Sequence, residues 1–181
     1  MQKKRKQKVL FGSIRLMLAV AFLAALSILC GKYLMIPVGN VMRFSFENLP
    51  ILLAGMAFGP IVGLVTGVIA DLLGCVLVGY AINPVVTVGA AAIGLCGGIL
   101  YWLCKRMPLP LRVGITVVGA HLIGSVIIKT FGLAQFYAMP FFALMGWRAV
   151  NYLIVGALEW VLLWILLRNK ALTTQLDRMK F

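Results

Sequence analysis

An all-α integral membrane fold, a bundle of six transmembrane helices with N- and C-termini cytoplasmic, is what the sequence predicts from three observations. The first is composition: of 181 residues, 63% are apolar and only 12% charged, with a mean hydropathy of +1.06. A soluble domain is about 45–50% apolar and about 25% charged, and a chain this small has too much surface for its volume to hide the excess from water. Intrinsic disorder, which needs low hydrophobicity, is excluded by the same figures. The second observation is that glycine, proline and charge clusters divide the apolar residues into six runs. The third is a net charge of +13, from 17 Lys+Arg against 4 Asp+Glu, with thirteen of the basic residues at alternate ends of those runs. Basic residues in short loops stay on the cytoplasmic side, so the pattern sets a topology.

The elements follow in order. Residues 1–11 form a basic cytoplasmic N-terminus carrying Lys3, Lys4, Arg5, Lys6 and Lys8. They suit orientation and contact with anionic lipid rather than nucleic acid. The run 12–30 follows, with Arg15 just inside it. It exceeds the roughly 7–15 residues of a signal-peptide core, and Leu29 beside Cys30 does not suit lipoprotein cleavage, so the segment is read as a retained helix. The run 47–59 is short and ends at the turn signal Gly59-Pro60. Runs 61–80 and 84–104 come next, then the basic stretch with Lys105, Arg106 and Arg112, then runs 111–131 and 142–167. Residues 168–181 are a basic cytoplasmic tail with Arg168, Lys170, Arg178 and Lys180. Six crossings put both basic ends on one side, and residues 1–181 read as a single six-helix membrane domain without internal repeats. The outer side then holds three connections, at about 31–46, 79–84 and 132–141. Loops with their own polar and aromatic content are frequent carriers of function.

Small residues are frequent, as expected where close packing holds membrane helices together. Gly55, Gly59, Gly63 and Gly67 recur at intervals of four and predict internal packing. Ala21 and Ala25 have the same spacing on the first helix and suit a neighbouring helix or a second protein. Cys30, Cys75, Cys96 and Cys104 have no CxxC or Cys/His arrangement and read as small hydrophobes. His121 and Ser125 lie one turn apart without a Gly-x-Ser-x-Gly motif, and no phosphate-binding glycine loop is present. Ionisable residues inside the membrane are costly and invite functional hypotheses. Asp71 is expected to pair with a basic group or with His121, or to be protonated. Glu159, beside Trp160, is expected to reach the inner interface or a partner.

Four basic residues break the topology rule by falling on the outer half: Lys32, Arg43, Lys129 and Arg148. For the two lysines, extension to lipid headgroups is the simpler alternative. Interleaved with them are Phe44, Phe46, Phe136, Tyr137, Trp147 and Tyr152. Arginine grips carboxylates bidentately and aromatic faces sandwich rings, so this set suits a planar aromatic ligand bearing carboxylates. Asn83, Thr87, Gln135 and Asn151 add amide and hydroxyl groups for ring heteroatoms. Rival classes are a small intramembrane enzyme using Asp71, His121 or Glu159, and a structural subunit that would leave the outer polar and aromatic residues unexplained.

The stretch Arg43-Phe-Ser-Phe-Glu-Asn-Leu-Pro-Ile-Leu-Leu-Ala-Gly-Met-Ala-Phe-Gly-Pro60 resembles the segment after the first helix in the substrate-binding S components of energy-coupling factor (ECF) vitamin transporters, folate-specific branch. Length, helix number, basic termini and the Ala21/Ala25 spacing extend the likeness along the chain. The resemblance implies a bacterial, multi-pass cell-membrane protein that is a high-affinity binding subunit and not an enzyme. It implies no cofactor, with folate as ligand in a pocket closed by the three outer connections; riboflavin, thiamine or a queuosine precursor are the alternatives. It also implies partners: a transmembrane coupling protein (EcfT), contacted through Ala21 and Ala25, and two ABC ATPases whose ATP hydrolysis drives toppling and inward delivery. The pocket set is then Arg43, Phe46, Asn83, Thr87, Gln135, Phe136, Tyr137, Arg148, Asn151 and Tyr152.

Overall fold

The computed structural model describes residues 14–38 and 42–179, and it is helical apart from one short hairpin. The basic N-terminus at 1–11 lies outside the described residues. Helix α1 (Ile14–Lys32) leads into strands β1 (Ile36–Val38) and β2 (Met42–Phe44), which pair antiparallel with Ile36 opposite Phe44 and Pro37 opposite Arg43. This hairpin sits within the first of the expected outer connections.

Helix α2 (Asn48–Phe58) has 11 residues. At 1.5 Å per residue it is about 16 Å long, roughly half the hydrocarbon thickness. It needs no full span because it is buried inside the protein: every residue from Pro50 to Ala57 is covered. Among the described residues, five helices are long and apolar enough to cross a membrane, and α2 is enclosed among them. Leu52, Ile93, Val113, Val117 and Leu163 are each 0% exposed and form the core around α2.

Proline and glycine mark the boundaries. Gly59, with φ at 105°, turns the chain from α2 into α3 (Pro60–Val78), whose first residue is a proline needing no backbone donor. Gly79 ends α3 in the left-handed conformation at φ 74°. Asn83 caps α4 (Pro84–Leu103) by accepting from the Val85 amide at 3.0 Å. Of the glycine stripe, Gly55, Gly63 and Gly67 pack against the α4 backbone at Gly94 and Ala90, while Gly59 serves the turn.

The next helix runs further than the sequence suggested. Helix α5 (Leu109–Ala120), a π-helical segment (His121–Lys129) and α6 (Thr130–Phe136) form one 28-residue helix, Leu109–Phe136. The third outer connection, expected at 132–141, shrinks to a tight turn at 137–140. Its amides close back on the helix, Tyr137 to the Leu133 carbonyl at 2.9 Å and Met139 to Ala134 at 3.0 Å, with Ala138 at φ 52°. No glycine announces this turn. Helix α7 (Phe141–Arg168) completes the bundle. The basic tail is itself helical: Asn169 interrupts the helix and accepts from the Ala171 amide, starting α8 (Lys170–Met179), which packs on α7, α2 and α1 and has Leu176 buried.

Candidate functional site

A cavity of about 520 Å³ opens where α1 and α3 finish and α4 and α7 begin. That volume is within the usual range for small-molecule sites. The hairpin joins it at both ends, since Met35 and Ser45 are in the wall. The shortness of the turns at 79–83 and 137–140 brings Tyr80, Asn83, Phe136 and Tyr137 over the same space.

Three cations stand in the wall in different circumstances. Lys129, 4% exposed, does not extend to headgroups: its Nζ donates to Glu47 Oε1 at 3.2 Å and to Asn48 Oδ1 at 3.4 Å. Burial of the lysine charge is tolerable because the partly exposed Glu47 carboxylate answers it. Arg148 forms no ion pair among the described residues. It donates through Nε and Nη2 to the Ser125 carbonyl at 3.4 and 3.2 Å and through Nη2 to the Tyr152 hydroxyl at 3.3 Å. Its charge therefore borders the cavity without a carboxylate paired to it among the described residues. Lys32 also borders the cavity, with Nζ 4.5 Å from the Tyr80 ring centroid.

The acids and amides complete the wall. Among the described residues Asp71 pairs neither with a lysine nor with His121: its Oδ2 accepts from the Thr87 hydroxyl at 2.7 Å. The Asn83 carboxamide is occupied on both sides, donating to the Gly132 carbonyl at 2.9 Å while capping α4. Ser27 lines the cavity and donates to the Glu47 carbonyl, tying α1 to the start of α2.

Of the ten residues expected to bind ligand, the structure brings Asn83, Phe136, Tyr137, Arg148, Asn151 and Tyr152 to the cavity wall. Thr87 stands behind the wall and reaches the cavity only through Asp71. Phe46 is half-buried beyond the lining, and Gln135 is exposed because the helix continues through it and turns it outward. The side chain of Arg43 lies outside the described residues, although its backbone is in β2. Ala21 and Ala25 are exposed on α1 and line a separate apolar groove with Met17, Val65, Ile69 and Leu73.

Sequence reasoning missed Glu47 as a wall residue and Asn48 as a buried partner of Lys129, and left Lys129 with two readings. The available signal was the scarcity of acids: with only 4 Asp+Glu in the chain, each one beside an apolar run had reason to answer a buried cation. The expectation for Glu159 also needs correction. It reaches neither the interface nor a partner but is 0% exposed, with Oε2 at 2.5 Å from His121 Nε2. The free cysteines form no disulfide, and no group of three metal-ligating side chains occurs among the described residues.

Residues 2–176 match the family model of the ECF transporter, substrate-specific component. Among solved structures, the chain is similar to a crystal structure of FolT bound with folic acid. The TM-score there is 0.67 at 22% identity, covering 82% of this chain and 89% of that one. It is also similar to the S component of a bacterial ECF transporter, with a TM-score of 0.57 at 19% identity, covering 85% and 93% respectively. No curated protein matches the chain. The family match across nearly its whole length, on a bundle of the same fold, shows that the chain belongs to the substrate-specific components of ECF transporters, membrane subunits that bind a substrate and are not enzymes.

Proposed function

We infer that this S component binds folate at the outer face of the cell membrane and delivers it inward. Delivery proceeds by toppling when the subunit docks on the transmembrane coupling protein EcfT and its two ABC ATPases. The observation that carries the choice of vitamin is Arg148, a cation in a cavity of about 520 Å³ with no carboxylate partner among the described residues. A neutral vitamin leaves that charge unanswered, whereas the glutamate of folate supplies two carboxylates for it. Phe136, Tyr137 and Tyr152 offer faces for the flat pterin and benzoyl rings. Asn151 and the Asp71–Thr87 pair offer polar atoms for the pterin edge. Arg43 is a second candidate for the carboxylates, since β2 joins the wall at Ser45, and Phe46 and Gln135 are candidates for closing the mouth once ligand is held. The likeness to a folate-bound FolT supports the same vitamin.

Native mass spectrometry of protein purified from cells supplied with folate, riboflavin and thiamine together tests the choice. The folate adduct is the expected species; a riboflavin or thiamine adduct in its place overturns the assignment.

Docking on EcfT is supported by the exposure of Ala21 and Ala25, whose small side chains leave a groove between α1 and α3 open to another helix. Ala21→Trp and Ala25→Trp fill that groove without touching the cavity. Uptake by cells is expected to fall to background in both variants while folate binding by the purified protein stays at the wild-type level. Uptake that survives both substitutions removes α1 from the interface.

A further inference from the structure

The buried carboxyl group of Glu159, within the membrane-spanning helix α7, has no part in the reading above, and stability alone does not account for it. Ionisable groups at this depth are costly. Replacing a buried ion pair by apolar side chains of similar volume is often neutral or stabilising. Glu159 carries a further cost, because its buried Oε1 has no hydrogen-bond partner among the described residues.

The geometry points to Glu159 as a positioning residue for the cavity, holding the Arg148 guanidinium in place through His121, Ser125 and Tyr152. Arg148, Tyr152 and Glu159 are four and seven residues apart along α7, so they share one face of that helix. Glu159 Oε2 fixes His121 at Nε2, and the other ring nitrogen, Nδ1, meets Ser125 Oγ at 3.1 Å. With both nitrogens held, the imidazole plane is set. Tyr152 stacks on that plane at 4.9 Å between centroids and 25° between rings. The two acceptors that hold Arg148 are the Ser125 carbonyl and the Tyr152 hydroxyl. Both therefore belong to residues that His121 touches and Glu159 locks.

The backbone makes the same point. His121 to Lys129 is π-helical, a geometry concentrated at functional sites. A π-helix directs each carbonyl to the amide five residues on instead of four, which re-aims the carbonyls along this segment. The Ser125 carbonyl also receives side-chain donors, from Arg148 and from Thr130 Oγ1 at 3.3 Å. The π segment thus presents the carbonyl as a ledge for the guanidinium, and Glu159 braces its first residue. Groups displaced by about 1 Å from their working position lose much of their effect, on the order of a hundredfold for reacting groups.

This inference rests on Arg148 receiving the ligand's carboxylates, and the test separates the two. Dissociation constants are measured for folate and for its diamide, in which both glutamate carboxylates are amidated. The proteins are the wild type, Glu159→Gln, and the double variant His121→Phe/Glu159→Leu. The double variant removes the pair without stranding a charge and keeps a ring under Tyr152. The wild type is expected to prefer folate by roughly tenfold or more, as a charge-assisted contact implies. In both variants that preference is expected to collapse towards unity, with binding of the diamide little changed. A preference retained in both variants, or an equal loss of both ligands, makes Glu159 a structural residue only and overturns the inference. A wild type that binds the diamide as well as folate overturns the role of Arg148 beneath it.

Discussion

Arg148→Ala is expected to weaken folate binding by about 1.5–3 kcal/mol, a rise in Kd of roughly tenfold to a hundredfold. The guanidinium is the only one in the cavity wall among the described residues. Its neighbour Lys129 is already satisfied by Glu47 and Asn48 and has less to offer an incoming anion. Alanine removes the charge while the Ser125 carbonyl and Tyr152 hydroxyl that held it remain in place. Arg148→Lys should recover part of the loss. A single ammonium keeps the charge but cannot hold the carbonyl, the hydroxyl and a carboxylate in one fork. Titration of the three proteins with folate checks the order arginine, lysine, alanine; equal affinities place the carboxylates elsewhere.

The second large effect concerns the fold. Gly94→Ala is expected to lower stability by about 3 kcal/mol, or to abolish folding, because overpacked backbones have no side-chain freedom with which to yield. A Cβ on Gly94 would fall on the Gly63 carbonyl, and one on Gly63 would fall on the Gly94 carbonyl and against the Gly55 backbone. Helices α2, α3 and α4 thus meet along glycine backbone, and a methyl group can be admitted only by moving whole helices. Since α3 and α4 also carry Asp71, Asn83 and Ala90 of the cavity wall, the site would open with them. Gly146 is the matched control: nothing lies within 4 Å of an added Cβ there. Gly146→Ala should be neutral or stabilising by up to about 1 kcal/mol, as for a helical glycine with room. Thermal unfolding of the two purified variants distinguishes them.

Local chemistry explains which parts of this structure were readable. The turn at Gly59-Pro60 and the helix start at Pro84 depend on a few adjacent residues, and the structure has both where the sequence puts them. The extent of the fifth helix was not readable. Its end at Phe136 is closed by backbone amides around Ala138, a residue with no particular preference for that conformation. The π segment has no local signature either.

The same division runs through the site. Arg148, Tyr152, Phe136 and Tyr137 stood out because outer arginines and aromatics are conspicuous in an apolar chain. Asn83 was noticed for its type, but its amide is taken up by the Gly132 carbonyl and the Val85 amide. The two contacts between ionisable side chains join residues distant in sequence, Glu47 with Lys129 and His121 with Glu159. Nothing in their local sequence names the partner; only the packing of α2, the π segment and α7 against one another does.

Isothermal titration of the purified, vitamin-free protein with folate tests the central claim most directly. One site per chain with a Kd below about 1 µM, about −8 kcal/mol or stronger, is the expected result. A clean titration without folate binding, from protein that binds riboflavin or thiamine under the same conditions, would contradict it.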